Sequence, residues 1–207
     1  MVQGMFLLWI CFFFFNGGGG KSITANKVRN QPSKIITNTL LSSTTAGLIA
    51  LVLKPRVVGS ESPLASYEPA AICNGILSGL VAVTAPCNNI EPYFAVMTGF
   101  VAGICYLVSC VVWKKLRVDD PLEASQVHGV AGLVGVLMVG MVDNDRGLIT
   151  TGNPGLLGVQ ALGALALVLW PLVTIMPAFL LMKKIDRFRV NEVVEIIGLD
   201  VLQHEEQ

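Results

Sequence analysis

His128 is the residue of this sequence best placed to do chemistry, because it lies in SQVHGVAGLVGVLMVGMV, at 125–142, a run otherwise apolar enough for a bilayer interior. Ionisable side chains inside a membrane are costly to bury, and they face a bundle interior or a water-filled path. Uncharged, as the cost of placing an ion in hydrocarbon favours, an imidazole offers one donor and one acceptor, enough to line a route for small polar molecules and relay a proton. The bland alternative is a histidine near a helix start bonded to a backbone carbonyl. At helical spacing 128, 132 and 135 share a face, so Gly132 and Gly135 are expected beside the ring, leaving space next to it. Pro121 with Asp119, Asp120 and Glu123 precedes the run, where carboxylates suit a helix N-terminus and read as caps.

Other chemistries find little footing. The histidines number two, His128 and His204, and none of the five cysteines forms a CxxC pair, so spacing builds no metal site. Cys11, Cys73, Cys87, Cys105 and Cys110 read as buried packing thiols. GGGGKS at 17–22 has the look of a nucleotide loop, but Phe15 stands where the motif needs a glycine and an apolar run replaces the preceding strand. Those glycines suit a helix end closely approaching a neighbour. No cofactor is expected.

The elements that must position His128 are membrane helices. The 207 residues are 53% hydrophobic and 14% charged, with a mean hydropathy of +0.67, which is too apolar for a soluble domain of this length. The formal net charge is zero, which argues against a nucleic-acid partner. About 20 residues cross the hydrocarbon, and six spans are expected, at about 1–19, 35–53, 70–86, 92–113, 122–142 and 155–182, within a membrane domain 1–182. Pro171 and Pro177 are natural kink points in the last, and Asn74 lies in the body of the third. Short, interrupted spans are where transporter sites are found.

Nine Lys and Arg fall on one side of the membrane (54, 56, 114, 115, 117, 183, 184, 187, 189) and five on the other (21, 27, 29, 34, 146), which places the C-terminus in the cytoplasm. Residues 183–207 form a tail there. The start of the chain lacks the basic leader and small-residue cleavage site of a signal peptide and enters the membrane almost at once, as if cut from something longer.

Several ordered motifs then carry a resemblance: FNGG at 15–18, NT at 38–39, CNGILSGLVAVTA at 73–85, VDDPLEASQVHGVAGLVG at 118–135 and RVNEVVEIIGLD at 189–200. Together they resemble the second half of a member of the ammonium transporter, methylammonium permease and Rhesus superfamily, along nearly the whole sequence. The resemblance implies an all-α membrane fold whose six helices match the last six of an eleven-helix inverted repeat. It also implies a homotrimer with one pore per subunit, in the lipid bilayer of the plasma membrane. The implied substrate is ammonium or ammonia, with no enzymatic step.

His128 is similar to one of the family's paired pore histidines, and Phe15 to one of two stacked phenylalanines gating the pore from outside. Gly19 stands at the outer recruitment site where the family has serine, which removes a hydroxyl. Asn16, Asn74, Gly132 and Gly135 are expected to pack helices near the pore. Cys11 and Phe14 replace family glycines, Phe12 replaces a tryptophan, and Glu123 replaces an aspartate. The pairing histidine, second gate phenylalanine and recruitment tryptophan belong to a first half that this sequence does not contain. The chain alone is therefore expected not to conduct, and a non-conducting or regulatory subunit of a transporter oligomer is the alternative.

Overall fold

The structure, a computed structural model, describes residues 1–20, 31–57, 69–185, 187–190 and 194–195. Lys21, Lys27, Arg29, His204 and most of the 189–200 motif and the tail lie outside the described residues. Among the described residues the elements are all helical: α1 (Val2–Gly18), α2 (Gln31–Val57), α3 (Pro69–Thr84), α4 (Pro92–Leu116), a π-helical turn (Ser125–Val130) running into α5 (Ala131–Val142), the short α6 (Leu148–Thr151) and α7 (Gly155–Lys184). Among the described residues four segments are long and apolar enough to cross a membrane, Pro32–Val57, Pro92–Leu116, Ser125–Val142 and Gly155–Lys184. The apolar helices α1 and α3 are shorter. In hydrocarbon such helices satisfy their own backbone groups, as no other open element can.

Two compact units are distinguished, Met1–Ala164 and Leu165–Gln207. In the first, α2 packs most extensively on α3 and α4, and the contact is built from missing side chains. A Cβ on Gly79 would lie 2.5 Å from the Ser42 carbonyl oxygen, and one on Gly99 would strike the same oxygen, so both helices close on a single point of α2. Hydrogen bonds sew this packing where hydrophobicity offers no drive: the Ser42 hydroxyl donates to the Gly79 carbonyl at 2.9 Å, and the Asn38 amide donates to the carbonyls of Cys87 and Ile90. Beside them Ile35, Val83, Ile90, Phe94, Ala95, Met138 and Val142 form one apolar cluster.

Helix ends follow from their residues. Pro92 opens α4 behind the extended Glu91, and Arg117, at φ 55°, closes it in the left-handed region. Lys34 donates to Glu91 at 2.6 Å, and this hydrogen bond holds the Glu91 carboxyl below its ordinary range. Asp143 Oδ1 accepts the backbone N–H groups of Asp145 and Arg146 after α5.

Helix α7, which begins in the first unit, continues as unbroken helix through Pro171 and Pro177. None of the most apolar stretch of α7 is buried. Leucine, valine and isoleucine all round a helix suit lipid contact, which makes the chain an integral membrane protein. The cysteines are all free: Cys73, Cys87 and Cys110 are buried and Cys105 half-buried, whereas Cys11 is exposed, contrary to expectation. Helix α1 buries only Met5 and Asn16 against its neighbours, so Cys11 points away.

Candidate functional site

The π-helical turn decides how His128 is presented. Its closing bond runs from the Ala131 N–H to the Gln126 carbonyl, five residues back, with a second reach to the His128 carbonyl. Val127 and Gln126 turn inward and are buried, while His128 and Gly129 are exposed. A Cβ on Gly129 would meet nothing within 4 Å, so the backbone next to His128 is uncovered as well.

Gly135 is buried, and a Cβ there would strike the Ala82 carbonyl of α3, so its missing side chain lets the two helices close on each other. Gly132 is half-buried, with Val81 Cγ1 at 3.9 Å from where its Cβ would be. Ala131, Ala82 and Ala102 make the small-residue contact on that side.

At the far end of α1, Phe15 and Phe14 are exposed, and the Phe15 ring meets Phe12 edge-on at 6.3 Å. Asn16 beside it is buried and donates to Thr39 Oγ1 at 3.1 Å, which ties α1 to α2. Gly17 faces Ile36, Gly20 faces Ile35, and Gly19 is exposed at the helix end. Among the described residues no hydrogen bond or ring contact joins Phe15 or Gly19 to His128, and residues 21–30 lie outside the description.

A part-buried ionic cluster at the root of the His128 turn lies beyond what the sequence indicated. Glu123 accepts two hydrogen bonds from Lys54 Nζ, one at each carboxylate oxygen and both at 2.7 Å, one from Asn74 Nδ2 at 2.8 Å, and one from the Tyr106 hydroxyl. Lys54 also donates to the Tyr106 hydroxyl at 2.8 Å and lies 5.3 Å from its ring centroid. Asn74 donates a further bond to the Leu122 carbonyl at 3.2 Å. Burial pushes the Glu123 carboxyl up, but the bonds from Lys54, Tyr106 and Asn74 outweigh it and hold the group below its ordinary range. Glu123 is therefore not a cap. That role falls to Asp120, whose carboxylate accepts the N–H groups of Ala124 and Ser125 and the Ser125 hydroxyl. The sequence did hold a signal: Lys54 and Glu123 each sit at the end of an apolar run, where a charge can be half-sunk only with a partner.

Among the described residues no group of three or more histidine, cysteine or carboxylate side chains gathers as a metal site. What the arrangement offers is an exposed imidazole on a π-helical turn, with a part-buried polar cluster around Glu123 just before that turn.

The ammonium transporter family model matches residues 1–207. The chain is 34% identical to putative ammonium transporter 1 of Caenorhabditis elegans, over 98% of this chain and 40% of that one. It is 30% identical to ammonium transporter 1 member 3 of Solanum lycopersicum, over 99% of this chain and 48% of the relative. A solved sensor Amt protein superposes with a TM-score of 0.81 at 33% identity, over 98% of this chain and 48% of the other. Saccharomyces cerevisiae Mep2 gives 0.79 at 25%, over 92% and 43%. The chain spans about half the length of the curated relatives it matches. With a family match along its whole length, and with the helical bundle those structures share, the chain belongs to the ammonium transporter family.

Proposed function

We propose that this chain forms one wall of an ammonium-conducting pore, with His128 lining the passage and Phe15 at its outer mouth. The observation that carries this is the exposed imidazole beside the bare backbone of Gly129, on a face of an apolar membrane bundle that the chain leaves open. An ammonium ion is too costly to move bare through hydrocarbon. An aromatic face at the mouth holds the cation, the ion gives up its proton there, and neutral ammonia passes along imidazole donors and acceptors. Gly19, near Phe15, contributes backbone alone to the outer recruitment site, while Asn16 and Asn74 hold their helices through the bonds to Thr39 and Glu123.

In this reading the six apolar helices correspond to the last six of an eleven-helix inverted repeat, in a homotrimer of the plasma membrane with the C-terminus in the cytoplasm. The opposite wall comes from a first half on another stretch of polypeptide. Co-expression with the complementary first half of a full-length relative, in cells lacking their own ammonium transporters, should restore growth on low ammonium. The 207-residue chain alone should not. Growth with neither combination, together with co-purification on a full-length relative, would instead assign the chain to a non-conducting or regulatory subunit.

A further inference from the structure

The outward direction of His128 depends on one extra residue in the helix that carries it. A π-helical turn is less stable than the α-helix around it, so both of its ends must be fixed for it to persist. On the C-terminal side the anchor is α5: Gly135 sits against the Ala82 carbonyl, and Met138 and Val142 are buried in the core. On the N-terminal side the anchor is Glu123. Its backbone has φ 57°, the left-handed region that residues with side chains rarely occupy. Its carbonyl accepts the Val127 N–H at 3.0 Å, one residue before the histidine. Its carboxylate is gripped from three helices, by Lys54 of α2, Asn74 of α3 and Tyr106 of α4. Asn74 also holds the preceding carbonyl of Leu122.

We propose that Glu123, clamped by Lys54, Tyr106 and Asn74, is a positioning residue that preserves the π-helical turn and thereby keeps the His128 ring on the open face. The clamp touches three helices and the backbone on the N-terminal side of the turn, and acts on the imidazole only through the path of the chain. Without it the segment 125–130 relaxes to α-helix. Because α5 is pinned, the residues before it turn by one position, about 100° in an α-helix, and His128 leaves the open face. The importance of this for transport rests on the pore reading of His128; the conformational claim does not.

The test uses the 207-residue chain in detergent solution. Its two histidines, His128 and His204, are carbethoxylated with diethyl pyrocarbonate, and the rate at each is followed by peptide mass mapping. His204 serves as the internal reference. Relative to it, modification of His128 should slow several-fold in Glu123→Ala and in Lys54→Met, and Glu123→Asp, which restores a carboxylate to Lys54, should recover most of the native ratio. A native ratio in folded Glu123→Ala and Lys54→Met overturns the proposal. Should Glu123→Ala fail to fold, Lys54→Met and Glu123→Gln decide, and a native ratio in both overturns it equally. The two readings separate cleanly. Native ratios alongside transport that still needs His128 remove only the clamp, whereas slowed ratios alongside transport indifferent to His128 remove only the pore assignment.

Discussion

Asp120 and Glu123 stand three positions apart on one polar approach, yet only Asp120 caps. Glu123 reaches back into the bundle, where its side chain and that of Lys54 are 20% and 12% exposed. At that depth the loss of one partner strands the other. Glu123→Ala should therefore cost about 2 kcal/mol, less than the 3–5 expected for a fully buried pair, and Asp120→Ala about 1 kcal/mol as a lost cap. Thermal unfolding in detergent measures both. Glu91, Asp120 and Glu123 all have carboxyls held below the ordinary range, in Glu123 and Asp120 against the upward push of burial. A carboxyl whose folded value is lowered contributes stability in full above its unfolded value, about 4, and loses it as pH falls through the folded value. Unfolding midpoints should thus be level near neutrality and drop below about pH 4, with a smaller acid loss in Glu123→Ala. The sequence exposed the presence of these acids and their place before the helix. It could not divide their roles, because Lys54, Tyr106 and Asn74 reach Glu123 across 69, 17 and 49 positions of chain.

At the scale of the helices, apolar periodicity marks where spans lie but is blind to one extra residue. The run at 125–142 reads as plain helix, since neither composition nor a period near 3.6 resolves a π-helical turn of six residues. For the same reason Gly132 and Gly135 looked equivalent, although one is filled by the Ala82 carbonyl and the other has only Val81 at the edge of contact. Space is decided by the neighbouring helix, which a single strand of sequence does not contain. Gly99→Ala and Gly135→Ala, each forcing a methyl into backbone, should destabilise by about 1–3 kcal/mol. Gly129→Ala, with open space around it, should leave unfolding nearly unchanged. Equal melting of all three variants would show that these crossings are looser than the packing of α3 and α4 on α2 implies.

At the scale of the whole molecule, the membrane class and family were legible in the hydropathy of +0.67 and the ordered motifs, and the family match over 1–207 agrees. The spread of polar groups was less so. Buried Asn38, Ser42, Ser78 and Thr98 sit between helices where hydropathy alone predicts only apolar contact. If His128 lines a passage, supplying the opposite half should produce conduction that depends on it. The most direct test is uptake of labelled methylammonium by cells lacking their own transporters, in which the chain is fused behind the first half of a full-length relative and compared with its His128→Ala form and with the chain alone. The fusion should show saturable uptake, its His128→Ala form a loss of about tenfold or more, equivalent to about 1.4 kcal/mol or more, and the chain alone none. Undiminished uptake by the His128→Ala fusion, with its selectivity unaltered, would rule out a pore role for His128.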